Sequence, residues 1–357
     1  MVVILLVFFS IINLIMKSKI LNKFKLFKHL KSLIFIRKEI KKISEETIIN
    51  DNQDIVLSIN NLTKFFINSQ GEYKRVLDKI NFKLKKGQFH GFVGDNGAGK
   101  TTTFRSILGF YNSYGGKITI NGIDSKNKES KKFIGYIPEV AIFLKNINSW
   151  DFLTSMGQIS NNKLPKEDMK TRITNICNKL EFDLKELDKS PYYMSSGQKK
   201  KIMLIQALIH DPELLILDEP AANLDPSARN EFFSILQQLN KEGKTILISS
   251  HIISELQLYI DSYTFIKGGK IVETTSIEEK INNLSYDRKI NTNNNSLIID
   301  FLSLNNTPFH LKDNFIFYKL NEYQEQVFND FLLENKIHIY ELQKININLN
   351  EIIFNQK

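Results

Sequence analysis

Apolar and polar residues alternate over "IVLSINNL" (55–62), "VLDKINFKL" (76–84) and "GKITINGI" (116–123), with turn residues between the runs. A period of two marks half-buried strands, so this part of the chain predicts a small antiparallel sheet. Three other stretches are apolar without alternation: "FHGFVG" (89–94), the strand inside "PELLILDEP" (212–220) and "KTILISSH" (244–251). Continuous apolar strands separated by helical segments predict a parallel sheet with helices on its faces. "TTTFRSILGF" (101–110) predicts a helix, and residues 150–190 are mostly helical in pattern. Past about Leu284 the chain turns to asparagine in "NTNNNS". It resumes with "LIIDFLSL", "NFIFYKL", a helical "EYQEQVFNDFLLENK" and a strand "IHIYEL", a second small α+β unit near 297–357.

The first 53 residues differ from the rest. "MVVILLVFFSIINLIM" is 16 residues without a charge. As a helix it reaches about 24 Å, short of the ~30 Å hydrocarbon core of a bilayer. The readings are a short anchor with its basic flank on the cytoplasmic side, or a start at Met16. A secretory signal is disfavoured, because no positive region precedes the run and no A-x-A site follows it. Residues 17–42 hold ten Lys/Arg against Glu39 alone, the whole of the chain's net charge of +9. Ile20, Phe24, Phe27 and Ile34 recur at roughly helical spacing there, which predicts a basic amphipathic helix on an anionic membrane face. The continuity of that apolar side argues against a nucleic-acid arm. Residues 44–54 read as a polar linker. One cysteine, Cys177, excludes an internal disulfide.

Three segments carry chemistry. Gly94-Asp95-Asn96-Gly97-Ala98-Gly99-Lys100-Thr101 fits G-x-x-x-x-G-K-[ST] between a predicted strand and a predicted helix. Glycines let backbone N–H groups curl around phosphate oxygens, and the helix aims its positive end at the same point. Lys100 supplies a point charge for the β/γ-phosphates and the Thr101 hydroxyl a ligand for Mg²⁺. Asp218 and Glu219 close an apolar strand, where two acids ask for a cation: Asp218 in the Mg²⁺ shell, Glu219 polarising an attacking water. Ser195-Ser196-Gly197-Gln198 opens a helix; a serine there reads first as a cap.

In this order the three segments resemble the ATP-binding-cassette (ABC) ATPase domain, over about residues 55–285. The resemblance implies an α/β P-loop NTPase with a RecA-like parallel sheet core, an antiparallel β subdomain and a helical subdomain, plus a small C-terminal α+β unit. It divides the chain into 1–16 (hydrophobic segment), 17–53 (basic segment and linker), 54–285 (ATPase domain) and 286–357 (accessory domain). It implies ATP and Mg²⁺ as ligands. Asn96, Gly97, Ala98, Gly99, Lys100, Thr101 and Thr102 would hold the phosphates, with Phe66 of "LTKFF" stacked on adenine. Thr101, Asp218 and Glu139 would serve the metal, and Glu219, His251 and Lys100 the chemistry. Met194-Ser195-Ser196-Gly197-Gln198 stands where the family has Leu-Ser-Gly-Gly-Gln, so Ser195, Gly197 and Gln198 would reach the γ-phosphate of a second, head-to-tail cassette. Asp225 of "ANLDP" would lie at that seam. There are two departures: Glu139 in "IGYIPEV" replaces a glutamine, and Ser196 a glycine.

The implied function is an ATP-hydrolysing subunit that energises transport, in the export direction, by a separate integral membrane permease docked near Glu139. It would work as a dimer at the cytoplasmic face of the membrane, without nucleic acid. "IHIYELQKININLNEIIFNQ" resembles the closing stretch of bacterial exporter-type subunits. The alternative is a soluble ABC ATPase acting on the ribosome or DNA. The basic N-terminus favours it; a single cassette and only about ninety residues between Lys100 and Ser195, without heptads, count against it.

Overall fold

A computed structural model describes residues 25–26, 28–47, 54–160, 165–282 and 286–344. The hydrophobic segment 1–16, with Ile20, Phe24 and Phe27, lies outside the described residues. The described chain forms two units, divided at Thr274/Thr275.

In the first unit the alternating stretches become β1 (Ile55–Ile67) and β2 (Tyr73–Lys85), joined by a turn in which the Asn68 side chain accepts from the amides of Gln70 and Glu72. β4 (Gly115–Ile120) and β5 (Ile123–Asp124) extend them into a four-stranded sheet, order β2-β1-β4-β5, with β1 antiparallel to both neighbours. Its apolar face, including Leu57, Ile59, Leu77 and Ile118, joins one core with Phe92 and Ile216 of the neighbouring layer.

That layer is a six-stranded sheet. It contains β3 (Phe89–Val93), β6 (Ile134–Ile137), β7 (Leu214–Leu217), β8 (Thr245–Ser250), β9 (Ser262–Lys267) and β10 (Lys270–Ser276), in the order β10-β9-β3-β8-β7-β6. The pairs β9/β3, β3/β8, β8/β7 and β7/β6 are parallel. Every residue of β3, β7 and β8 is buried, the physical meaning of their unbroken hydrophobicity. α2 (Lys100–Ile107) follows β3, and α6 (Pro226–Lys241), capped by Asp225, precedes β8. The carboxyl ends of β3, β7 and β8 therefore open side by side, where an open α/β sheet places its ligand.

Between β6 and β7 runs a helical layer of α3 (Ser149–Ser160), α4 (Lys166–Lys179) and α5 (Ser196–Leu208). α4 buries Met169, Ile173 and Cys177, spaced by four, and α3 meets it through Gly157, where a Cβ would collide with the Met169 sulfur. Burial pushes the Cys177 thiol up to about 12.

Ahead of β1, helix α1 (residues 28–45) lies on the β1–β2–β4 sheet. Ser32, Ile36 and Ile43 are its buried residues. Ser32 Oγ donates to the Gly71 carbonyl at 2.7 Å, and a Cβ on Gly71 would sit 2.9 Å from the His29 nitrogen. Phe35 stacks on Tyr73 with 4.8 Å between centroids. Ile34, assigned by spacing to the apolar face, is 50% exposed on the other side.

The second unit begins with α7 (Ile277–Asn282). β11 (Arg288–Thr292), α8 (Asn295–Leu304), β12 (Phe309–Lys312), β13 (Phe315–Tyr318), α9 (Glu322–Glu334) and β14 (Ile339–Lys344) follow in a β-α-β-β-α-β order. The sheet runs β12-β13-β11-β14, all pairs antiparallel. This is the ferredoxin-like arrangement. Ile290, Ile316 and Tyr318 meet Phe301, Leu302, Phe328 and Leu332 in its own core. The asparagine run is structured: Asn294 caps α8, and the Asn295 side chain accepts from the Thr292 amide.

Candidate active site

The loop 94–99 leaves β3 and turns into α2. Gly97 and Gly99 have φ of 79° and 117°, a region that favours glycine. A Cβ on Gly99 would lie 2.6 Å from Leu77 Cδ2, and one on Gly94 would collide with the Ile266 carbonyl. The glycines thus serve close packing as well as the curl of the backbone.

Lys100 is 5% exposed. Its ammonium donates to the carbonyls of Gly94 (2.6 Å) and Asp95 (3.2 Å) and stands 3.1 Å from Glu219 Oε1. Glu219 has φ 44°, strained for a residue with a side chain, and is held there by its amide donating to Ser249 Oγ at 2.8 Å. Its other oxygen, Oε2, lies 2.9 Å from His251 Nδ1. Lys100, Glu219 and His251 thus form one row across the ends of β3, β7 and β8.

Beside them Asp218 accepts from Thr101 Oγ1 at 3.2 Å and from Ser249 Oγ at 2.8 Å, both on Oδ1. Burial raises its carboxyl above the usual range. The two hydroxyl bonds oppose that rise, and the charges of Glu219 and Glu139 add to it. A buried carboxyl next to a hydroxyl, with two more carboxylates near, is a donor set that a hard divalent cation would stabilise. Among the described residues no His/Cys/Asp/Glu group is arranged to hold a metal unaided. Mg²⁺ commonly takes one or two protein oxygens and completes its shell with phosphates and water. Thr101 and Asp218 fit that use.

Phe66, Asn96, Gly97, Gly99, Lys100, Thr101, Thr102, Glu139, Glu219 and His251, all singled out from the sequence, line one cleft of about 450 Å³. Ala98 lies beneath it, its carbonyl accepting from Gly269 at 2.9 Å. Lys74 and Val76, which carried no motif, also line the cleft, as does Ala222, the first residue of "ANLDP". The β1–β2 register, which sets Lys74 opposite Phe66, brings the first two there. Phe66 rests edge-on against Tyr111, with the Lys64 ammonium 5.1 Å from its ring.

Ser195, Gly197 and Gln198 are not among the residues lining this cleft. Ser195 caps α5: its Oγ accepts from the Gln198 amide (3.2 Å), and Gln198 Oε1 accepts from the Ser195 amide (3.1 Å). Gln198 Nε2 donates on to Glu186 at 3.1 Å. A capping box fixes the start of the helix and aims its positive end outward. From the same helix the buried Lys200 ammonium donates to the carbonyls of Pro138 (3.0 Å) and Glu139 (2.7 Å), tying α5 to the segment that carries Glu139. Burial lowers Lys200 to about 8, against the pull of Glu139 and Asp218.

A glycine cradle at a strand end, a lysine within it, and a Thr–Asp pair beside a strand-end glutamate define a P-loop nucleoside-triphosphatase. The family model of ABC transporters matches residues 77–222. A putative ABC transporter ATP-binding protein of Mycoplasma pneumoniae is 42% identical over 227 residues, 62% of this chain and 68% of that one. An uncharacterised ABC transporter ATP-binding protein of Bacillus subtilis, YhcH, is 30% identical over 300 residues, 83% of this chain and 94% of its own. Among solved structures, CbiO1 of Clostridium perfringens, part of an ABC transporter complex, has a TM-score of 0.57 at 26% identity, covering 64% of this chain and 92% of that one. The chain belongs to the ABC transporter family as an ATP-binding subunit, and it is an ATPase.

Proposed function

We propose that this chain hydrolyses ATP as one of a pair of cassettes and drives export by a separate integral membrane permease. The observation that carries the reading is the adjacency of two surfaces along one short segment. Glu139 lines the nucleotide cleft. Ile142, Phe143, Leu144 and Ile147, just after it, line an apolar hollow of about 250 Å³ with Phe152 and Met156 of α3. Ile142 and Leu144 are 86% and 67% exposed. A permease segment seated there would sense the cleft through residues 137–147, which Lys200 fastens to α5. The export direction draws support from relatives named for bacitracin transport in Bacillus licheniformis (36% identical over 221 residues) and linearmycin resistance in Bacillus subtilis (32% over 201).

In the proposed cycle Lys100 and the loop amides bind the triphosphate, and Phe66 offers its ring to the base. Glu219 takes the proton of the attacking water while His251 holds the carboxylate in place through Oε2. Thr101 and Asp218 would hold Mg²⁺, which supplies charge neutralisation at the phosphates; Glu139 faces the same space. Ser195, outside its own cleft, would complete the cleft of a second cassette.

Affinity purification of the Glu219→Gln chain from membranes, with ATP and Mg²⁺, tests the reading. An integral membrane protein should accompany it, and the detergent-extracted chain should run as a dimer with ATP and a monomer without. Recovery with ribosomes or DNA in place of a membrane protein would select the alternative. A chain that stays monomeric with ATP, and to which no second cassette binds, would end the paired-cassette account.

A further inference from the structure

We propose that the outer side of α1 lies on an anionic lipid surface. The helix is already fixed on one side, through Ser32 on Gly71, Ile36, Ile43 and the Phe35–Tyr73 stack. Lys28 adds an exposed ion pair to Glu72 at 2.7 Å. Docking therefore accounts for one side and leaves the other unexplained. Leu26, Leu30 and Ile34, spaced by four, are 70%, 53% and 50% exposed, with Leu33 beside them. Residues at that spacing share one line along a helix. Arg37, Lys38, Lys41 and Lys42 extend the outward side over the next two turns, all exposed. Among the described residues, Lys41 has a 3.8 Å contact with the exposed Glu45.

A leucine line that gives way to a cluster of cations is what an interfacial helix presents to a bilayer: aliphatic groups enter the acyl boundary and ammonium groups stay at the phosphates. A nucleic acid would be met by the cations but would leave the leucines in water. The inference goes beyond the permease reading and does not depend on it. A cassette that hydrolyses ATP beside a permease would do so with this face bare.

Trp fluorescence of the full chain tests it at the helix itself. Leu30→Trp and, as a control on another exposed leucine, Leu258→Trp are each compared with the parent chain, whose single tryptophan is Trp150. The vesicles are brominated phosphatidylcholine, alone or mixed with phosphatidylglycerol. The proposal expects Leu30→Trp to be quenched by the anionic vesicles, weakly by the neutral ones, and Leu258→Trp by neither. Combining Lys38→Glu, Lys41→Glu and Lys42→Glu should weaken partitioning about a hundredfold at low salt. ATPase turnover should be unchanged in all of them. If Leu30→Trp is quenched no more than Leu258→Trp although the chain sediments with vesicles, binding belongs to another segment and the proposal is overturned. It is equally overturned if the Leu30→Trp signal responds only to nucleic acid or to the permease.

Discussion

His251 Nδ1 lies 2.9 Å from Glu219 Oε2, at the end of the strand next to the one that carries the glutamate. The other carboxylate oxygen faces Lys100 at 3.1 Å. One oxygen is thus held by an imidazole while the other points at the cation of the phosphate loop. As the proposed base, a carboxylate pinned in this way would need both its charge and its support. Glu219→Gln should retain ATP binding and lose about 10²- to 10⁴-fold in kcat. His251→Ala should lose less, because the carboxylate remains. Steady-state turnover beside nucleotide titration separates the two, and normal turnover in Glu219→Gln would remove the assignment of the base.

Lys100→Ala deletes the buried ammonium that bonds the Gly94 and Asp95 carbonyls. A charge-assisted contact to phosphate is worth about 1.5–3 kcal/mol, so ATP affinity should fall roughly ten- to a hundredfold or more. Calorimetric titration measures it; unchanged affinity would contradict the role given to the lysine.

Lys200→Met leaves the carbonyls of Pro138 and Glu139 without their donor and frees the Glu139 segment from α5. The expected result is a kcat lower by about ten- to a hundredfold, with nucleotide affinity nearly unchanged, since no cleft contact is lost. Lys200→Arg should restore part of the rate. Equal loss of affinity would make Lys200 a general structural prop.

His90 is buried between the hydroxyls of Ser262 (2.7 Å) and Thr264 (2.9 Å), and burial lowers it from 6.5 to about 3. Because the folded value is the lower one, the unfolded chain takes up a proton first as the pH falls. Stability should therefore decline on acidification from about pH 6.5 toward 3, by up to about 1.4 kcal/mol per pH unit from this group. Above pH 6.5 the contribution is complete. In His90→Gln the acid limb of a denaturant-unfolding series should be flatter; an identical limb would show that other groups control it.

Gly157→Ala places a methyl group against Met169 where α3 crosses α4. Overpacking of this kind costs about 1–3 kcal/mol. Thermal unfolding should report it, with ATP affinity retained because the cleft lies elsewhere. A wild-type melting temperature would mean that Met169 yields easily.

The phosphate loop was legible because its chemistry is contiguous: eight adjacent residues between a strand and a helix fix Gly94, Lys100 and Thr101 whatever the rest of the chain does. Lys74 and Val76 were not, because the β1–β2 register, rather than any motif, brings them to the cleft. In α1 the hydrophobic spacing misassigned Ile34. The docked side is chosen by Ser32, whose small hydroxyl side chain lets the helix backbone approach Gly71, and polarity patterns do not register size. The asparagine-rich stretch read as a break, yet it holds β11 and the cap of α8. "RKINT" carries Ile290 as its sole large apolar residue, and its strand character comes from lying between β13 and β14. The split of the buried strands from the alternating ones, by contrast, was plain in the residue order and became the two sheets of the first unit.

In the second unit the central strand β11 lies next to the edge strand β14, with Arg288 opposite Lys344. The start of β11 and the end of β14 thus stand at neighbouring points on one rim. A sheet whose first and last strands pair in this way keeps those two strand ends together, so a joint made at that rim would not require rethreading it.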